Sequence, residues 1–421
     1  MTSTQQEAPQ TYRWLILAAA CTIGFMLVGA RETLGNFLKP ITSELHWDRE
    51  TISLIAAINL WLSGLLQPFT GNIMDRFGPK WLFASSVTLY GVGVLLVGFT
   101  QTPWYLVLVY GVLVGSATAG SSISLSNALV AQWFPAQRRA FAISINNVFV
   151  ALGRLALLYL SYYAMTLYGW RWSHIYLGVA ILLVTIPAAL LFPGRRSTER
   201  HQAQAARQRN TVSGPLEVAR WSESLRSWPL WQLMGGYFVC GMTVNLSMHF
   251  IAFATDRGYQ HSDAVLAQGT MSIVTFCGSL LAGMVSDRIG RKNVLGLAYA
   301  FRAVAFATLL LWNHWLALYV FAVIGGLSWL AAPPSVIALT GEIYGMRTLG
   351  TLGGISLLAH QIGGGLSVWF AGRLYDLTGG YDFSFTLATL ALIGASLVSF
   401  SIAERRYSTR YLAPASAATG N

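Results

Sequence analysis

The chain is a succession of apolar runs, each about 20 residues long, separated by short polar segments. A helix needs about 20 apolar residues to cross a hydrocarbon core about 30 Å thick, and inside that core every backbone polar group must find its partner internally. Six such runs lie near 14–37, 51–71, 81–100, 104–131, 140–165 and 172–192. Six more lie near 229–253, 264–286, 293–312, 315–340, 350–371 and 383–403. They are continuously apolar rather than ten-residue alternations, which predicts helices and not a barrel. Charged residues make up 10% of the chain against 54% hydrophobic, too little polar surface to cover a soluble protein of this length. The expectation is an all-α membrane protein with twelve transmembrane helices and no soluble catalytic domain. The polar tail of residues 1–12 leads straight into a full-length run, so no cleavable signal peptide is expected. Cys21, Cys240 and Cys277 fall inside apolar runs and form no CxxC pair, which reads as free, buried thiols.

Where the charge sits gives the orientation. The net charge of +11 is spread over short inter-run segments instead of gathering with aromatics on one face, which opposes nucleic-acid binding. Of 27 lysines and arginines, 19 lie in the amino tail, the even-numbered loops and the carboxyl tail. The odd-numbered loops hold five: Lys39, Arg49, Arg171, Arg257 and Arg373. The positive-inside rule then places both termini in the cytoplasm, in a multi-pass protein of the inner membrane. The one long hydrophilic connection divides the chain into a six-helix bundle at 1–192, a basic cytoplasmic linker at 193–228, and a second bundle with its tail at 229–421.

The loop after the second run reads GNIMDRFGPK (71–80), and that after the eighth reads GMVSDRIGRK (283–292). Both fit G-x-x-x-D-R-x-G-x-K/R at equivalent places, which implies duplication into two pseudo-symmetric halves. Gly78 and Gly290 would turn the chain tightly. Asp75 and Asp287 would accept hydrogen bonds at the positive end of a helix in one conformation and lose them in another. With Gly71, Arg76, Gly283 and Arg288 they form candidate conformational-switch loops. A second repeat pairs ALVAQWFPAQRRAFA after run 4 with ALTGEIYGMRTLGT after run 10.

On these residues the chain resembles the major facilitator superfamily over essentially its whole length. WFPAQRRAFA (133–142), GARETLGNFLKPI (29–41) and GRLYDLTGGYDF (372–383) are similar to signatures of its monocarboxylate and oxalate/formate branch. That branch often has an arginine in the middle of span 8, where TFCGSLLAGMVSD (275–287) has none. The resemblance implies two bundles around a central cavity lined by spans 1, 4, 5, 7, 8, 10 and 11, each chain working as a monomer.

Ionisable residues inside spans are expensive and therefore candidates for function. Arg31 lies roughly 27 Å, and Arg154 roughly 22 Å, from the cytoplasmic start of its span at 1.5 Å per residue. Guanidinium groups at similar depth suit a carboxylate gripped by paired hydrogen bonds; the competing reading is that each ties helices together through carbonyls or Glu32. Glu32, the only acid well within a span, is a candidate proton carrier or a structural partner. Arg302, on span 9, reads as a residue that snorkels or pairs within its own half. Asn245 and His249, four apart on span 7, share a helical face with Tyr237 two turns away. With His360 and Gln361 on span 11 they are candidate substrate-orienting groups. SSISLSN (121–127) reads as helix packing, and Trp329 with Pro333–Pro334 as a kinked gate or a packed core.

Enzyme constellations are absent: the sequence has no G-x-S-x-G, Walker loop or HExxH, and it suggests neither metal nor cofactor. The expected function is secondary active transport of a small organic anion, first a monocarboxylate, with proton symport or exchange of anions across the bilayer. A drug-like or neutral nutrient substrate, and a membrane sensor that does not transport, are the rivals.

Overall fold

The computed structural model describes residues 10–134, 136–195, 215–217, 220–345 and 349–408, and every regular element among them is a helix. In chain order these are α1 (Gln10–Glu32), α2 (Leu34–Leu45), α3 (Arg49–Phe77), α4 (Pro79–Val97), α5 (Pro103–Leu106), α6 (Gly115–Gly120), α7 (Ile123–Trp133) and α8 (Ala136–Leu190). They continue with α9 (Trp228–Leu246), α10 (Phe250–Asp256), α11 (His261–Ile289), α12 (Arg291–Leu311), α13 (Leu316–Trp329), α14 (Ala332–Tyr344), α15 (Leu349–Thr378), α16 (Asp382–Ser401) and α17 (Glu404–Tyr407). Among the described residues ten helical stretches are long and apolar enough to cross a membrane; one of them, Phe141–Leu190, is two helices joined at Gly169, where φ is +77°. The 30-residue α15 is less apolar, because His360, Gln361 and the glycines at 363–365 occupy its middle.

Glycine and proline set the sharp ends. Gly78 closes α3 at φ +85° with its N–H on the Met74 carbonyl at 2.8 Å, and Pro79 opens α4 where no N–H is required. Gly290, at φ +98°, makes the same turn between α11 and α12. The duplicated loop of the sequence is thus a duplicated helix–turn–helix corner.

The chain divides into two compact units. Unit 1 takes the described residues within Met1–Arg209, together with Met248–Ala252; unit 2 takes those within Asn210–Ser247 and Phe253–Asn421. Inside unit 1, α8 packs on α1 and α4, while α3 packs on α6. Inside unit 2 the pairs are α9 with α15, α12 with α16, and α11 with α13. The cysteines follow the packing only in part: Cys21 and Cys240 are buried, whereas Cys277 is exposed.

Among the described residues four of the apolar runs are interrupted in matching pairs, a feature the apolar pattern does not show. The first breaks at Thr33 between α1 and α2, and the seventh at a 3-10 turn, Ser247–His249. The fourth runs through a π-helical stretch, Val107–Val114, and breaks at Ser121–Ser122, where Ser122 accepts the Leu125 N–H as an N-cap. The tenth breaks at Leu330, between α13 and α14. Breaks free backbone groups that must be satisfied elsewhere, so side chains converge on them.

At one end of each unit an arginine ties three helix ends together. Arg171 Nε pairs with Glu44 Oε1 at 2.9 Å, and its Nη1 donates to the carbonyls of Gly98 and Thr100. Arg257 Nη2 pairs with Asp382 Oδ1 at 2.5 Å, and its Nη1 donates to the Leu309 carbonyl. Glu44 and Arg257 occupy equivalent places in the duplication, as do Arg171 and Asp382. The two staples therefore share geometry and have opposite polarity.

Candidate functional site

In unit 1 the approach of α1 to α8 builds the polar centre. A Cβ on Gly29 would stand 2.5 Å from the Gly153 carbonyl oxygen, and one on Gly153 would run into the Phe25 carbonyl. Glycine at both places lets the two backbones touch. The chemical consequence is that Arg154, beside Gly153, brings its Nε to 3.6 Å from Glu32 Oε1. At that separation the pair is ionic without a hydrogen bond, and Arg154 Nε is buried with no hydrogen-bond partner. A buried donor left in this way is where an incoming acceptor gains most.

Arg31 and Glu32 are the last residues of α1, directly before the break at Thr33, whose hydroxyl turns back onto the Ala30 carbonyl at 2.7 Å. Tyr110 and Tyr90 lie within electrostatic reach of both charges. Tyr110 sits on the π-helical stretch, and its carbonyl accepts the Asn59 amide at 2.8 Å. Tyr90 donates to the Leu27 carbonyl at 3.1 Å. Sequence reasoning found the three charges and missed both tyrosines, although a phenol inside an apolar run is itself a visible signal. The span-4 serines and span-5 asparagines also do more than pack: Asn146 Nδ2 donates to Asn127 Oδ1 at 2.7 Å, and Gln67 Nε2 to Ser122 Oγ at 2.8 Å.

Unit 2 repeats the close approach with different chemistry. A Cβ on Gly241 would run into the His360 carbonyl, and one on Gly363 into the Phe238 carbonyl. The Tyr237 and His360 rings then lie 4.7 Å apart, with His360 Nδ1 3.2 Å from Gln361 Oε1. Asn245 turns back to donate to the Gly241 carbonyl at 2.9 Å. The face expected to join Asn245 to His249 is interrupted, because the 3-10 turn changes the helical phase between them. His249 is fully buried in the Met248–Ala252 segment that packs with unit 1, its Nε2 3.5 Å from Ser53 Oγ.

Arg302 is fully buried and ties spans within unit 2. Its Nη1 donates to Thr243 Oγ1 at 3.1 Å and lies 3.3 Å from Cys240 Sγ. Its Nη2 donates to the Ser328 and Trp329 carbonyls, each at 2.9 Å, and its guanidinium lies 4.9 Å from the centre of the Trp329 ring. In a continuous helix the Trp329 carbonyl would accept from residue 333, but Pro333 has no N–H. Arg302 supplies the missing donor at the break.

The switch-loop candidates occupy the two corners. Gly71, Asp75 and Gly78 belong to the end of α3, and Gly283, Asp287 and Gly290 to the end of α11. The surroundings of Gly71 and the side chains of Asp75 and Asp287 lie outside the described residues. Arg76 is exposed, its guanidinium 5.4 Å from the Phe77 ring centre, and Arg288 is exposed. Among the described residues no group of three or more His, Cys, Asp or Glu is placed to hold a metal ion.

Comparison with known proteins adds the following. The sequence model described as Major Facilitator Superfamily matches residues 20–269 and 233–418. The chain is 26% identical to the MFS-type transporter YcxA of Bacillus subtilis, over 88% of this chain and 90% of that one. It is 22% identical to monocarboxylate transporter 13 of Rattus norvegicus, covering 92% and 88%. It is 23% identical to a probable sulfoacetate transporter, SauU, of Cupriavidus necator, covering 93% and 94%. The crystal structure of a bacterial homolog of the human lysosomal transporter Spinster, inward-facing and occupied, matches with a TM-score of 0.72 at 17% identity, covering 97% of this chain and 100% of that one.

Proposed function

Because the chain belongs to the major facilitator superfamily, whose members are multi-pass membrane transporters and not enzymes, we propose that it carries a small organic anion, most specifically a monocarboxylate. The observation that carries this reading is the open donor of the unit 1 centre: Arg154 Nε is buried with no hydrogen-bond partner, 3.6 Å from Glu32 Oε1, inside membrane-spanning helices where ionisable groups mark solute pathways. A carboxylate bound there would take the buried Arg154 Nε–H and compete with Glu32 for the guanidinium. Two relatives named for carboxylate or sulfonate-carboxylate solutes point the same way.

In this reading the chain has twelve spans, grouped as 1–192 and 229–421 about the 193–228 linker, with both termini in the cytoplasm of an inner-membrane monomer. Tyr237, Asn245, His249, His360 and Gln361 would orient the remainder of the solute during alternating access. The loops containing Asp75–Arg76 and Asp287–Arg288 would switch between conformations. Glu32, beside Arg154, is the candidate proton carrier, which makes proton symport the first expectation and anion exchange the second.

The test is uptake of a labelled monocarboxylate panel into proteoliposomes, with and without an inward proton gradient, for the parent, Arg31→Ala and Arg154→Ala. Gradient-stimulated uptake abolished by both substitutions supports the reading. Uptake of a neutral solute that survives both substitutions, with no acid transported, refutes it.

A further inference from the structure

Unit 2 carries a second feature that transport of an anion does not use. A cavity of about 330 Å³ opens on its surface between α9 and α16. Its walls are apolar except for Gln232, whose amide is already bonded to Ser401 Oγ at 2.8 Å. Missing side chains make the space: a Cβ on Gly235 or on Gly394 would meet nothing within 4 Å. The exposed indoles of Trp228 and Trp231 stand at the end where α9 begins, and Trp231 Nε1 donates to the Leu225 carbonyl at 2.7 Å. Indoles with one polar edge are characteristic of the membrane–water boundary.

The dimensions and charge select an occupant. From Trp228 to Val239 the groove follows α9 for roughly 16 Å at 1.5 Å per residue, close to one leaflet, half of a core about 30 Å thick. A partner helix would need a groove running the whole span, whereas one acyl chain needs a single leaflet. At the mouth, Arg226 precedes Trp228 by two residues, and Arg405 and Arg406 lie just beyond the end of α16; all three are exposed. The Gln232–Ser401 bond holds these two helix ends side by side, so the arginines flank one end of the groove. We propose that this groove binds one anionic phospholipid, with an acyl chain lying over Gly235 and Gly394 and the phosphate held by Arg226, Arg405 and Arg406.

The full chain, purified in mild detergent, would be mixed with equal amounts of phosphatidylglycerol and phosphatidylcholine and examined by native mass spectrometry. The parent is expected to retain one phosphatidylglycerol in preference to phosphatidylcholine. Gly394→Leu and Gly235→Leu, which fill the groove, should lose that bound lipid, while Gly353→Leu, another glycine with open space around it, should keep it. The triple change Arg226→Gln, Arg405→Gln and Arg406→Gln should erase the headgroup preference. A photo-crosslinking phosphatidylglycerol with a diazirine in its acyl chain tests the unmodified chain, and should label 228–239 and 391–398. Equal retention by the filled variants, no headgroup preference in the parent, or label spread evenly over all lipid-facing helices would overturn the proposal.

Discussion

Replacing Arg302 by methionine puts the break in span 10 to a quantitative test. The guanidinium makes four contacts, with Thr243 Oγ1, Cys240 Sγ and the carbonyls of Ser328 and Trp329. Hydrogen bonds to charged groups contribute about 1.5–3 kcal/mol each, and a buried carbonyl left bare costs about 1–3 kcal/mol. Against this, methionine removes the desolvation penalty of a buried ion, and replacing buried ionic groups by apolar ones has stabilised other proteins by about 1–4 kcal/mol. The backbone decides between them. Ser328 O also accepts the Ala331 N–H at 3.4 Å, but Pro333 denies the Trp329 carbonyl its helical donor. The expected net loss is about 2–4 kcal/mol for Arg302→Met. Pro333→Ala restores an N–H four residues after Trp329, so the double variant should recover about 1 kcal/mol relative to the sum of the single changes. Unfolding by SDS in mixed micelles measures this, with a thiol-reactive dye reporting the buried Cys21 and Cys240 in a Cys277→Ser background. An Arg302→Met protein as stable as the parent, or strict additivity with Pro333→Ala, would refute the donor-replacement logic.

Other expectations use the same unfolding assay or the proteoliposome uptake assay. Gly153→Ala should destabilise by about 1–3 kcal/mol because its methyl meets the Phe25 backbone, whereas Gly353→Ala, inside α15 with nothing within 4 Å, should stabilise by up to about 1 kcal/mol. Arg171→Ala should cost more than Glu44→Ala: the half-exposed ion pair is worth at most about 1 kcal/mol, both residues also hold Trp170 (Glu44 Oε2 accepts its Nε1–H at 2.6 Å), and the arginine alone also holds two carbonyls. Equal losses from the two changes would contradict that division. Glu32→Gln should leave anion binding intact while removing the stimulation of uptake by an inward proton gradient; persistent stimulation would exclude Glu32 as the carrier. Tyr110→Phe should weaken uptake by raising KM, as expected of a hydrogen-bonding group beside Arg31 and Glu32.

Much of this molecule is determined by local chemistry that the sequence displays directly. Apolar runs of membrane-crossing length require helices, because nothing else satisfies the backbone in hydrocarbon. The repeated DRxG segments announce the duplication, and Gly78–Pro79 announces its own corner, since glycine alone takes positive φ freely and proline suits a first helical turn. The costly residues Arg31, Glu32 and Arg154 stand out by composition alone. What tertiary structure decided is which of these groups meet. Glu32 faces Arg154 because Gly29 and Gly153 let α1 and α8 touch, and no spacing along one strand of sequence encodes a contact between residues 122 apart. Arg302, visible as a buried charge, acquired its role only when folding placed it opposite a carbonyl that Pro333 had left without a donor. The interrupted spans were hidden for the same reason: an apolar run looks alike whether its helix is continuous or broken. The breaks persist because side chains from neighbouring helices satisfy the backbone groups they expose.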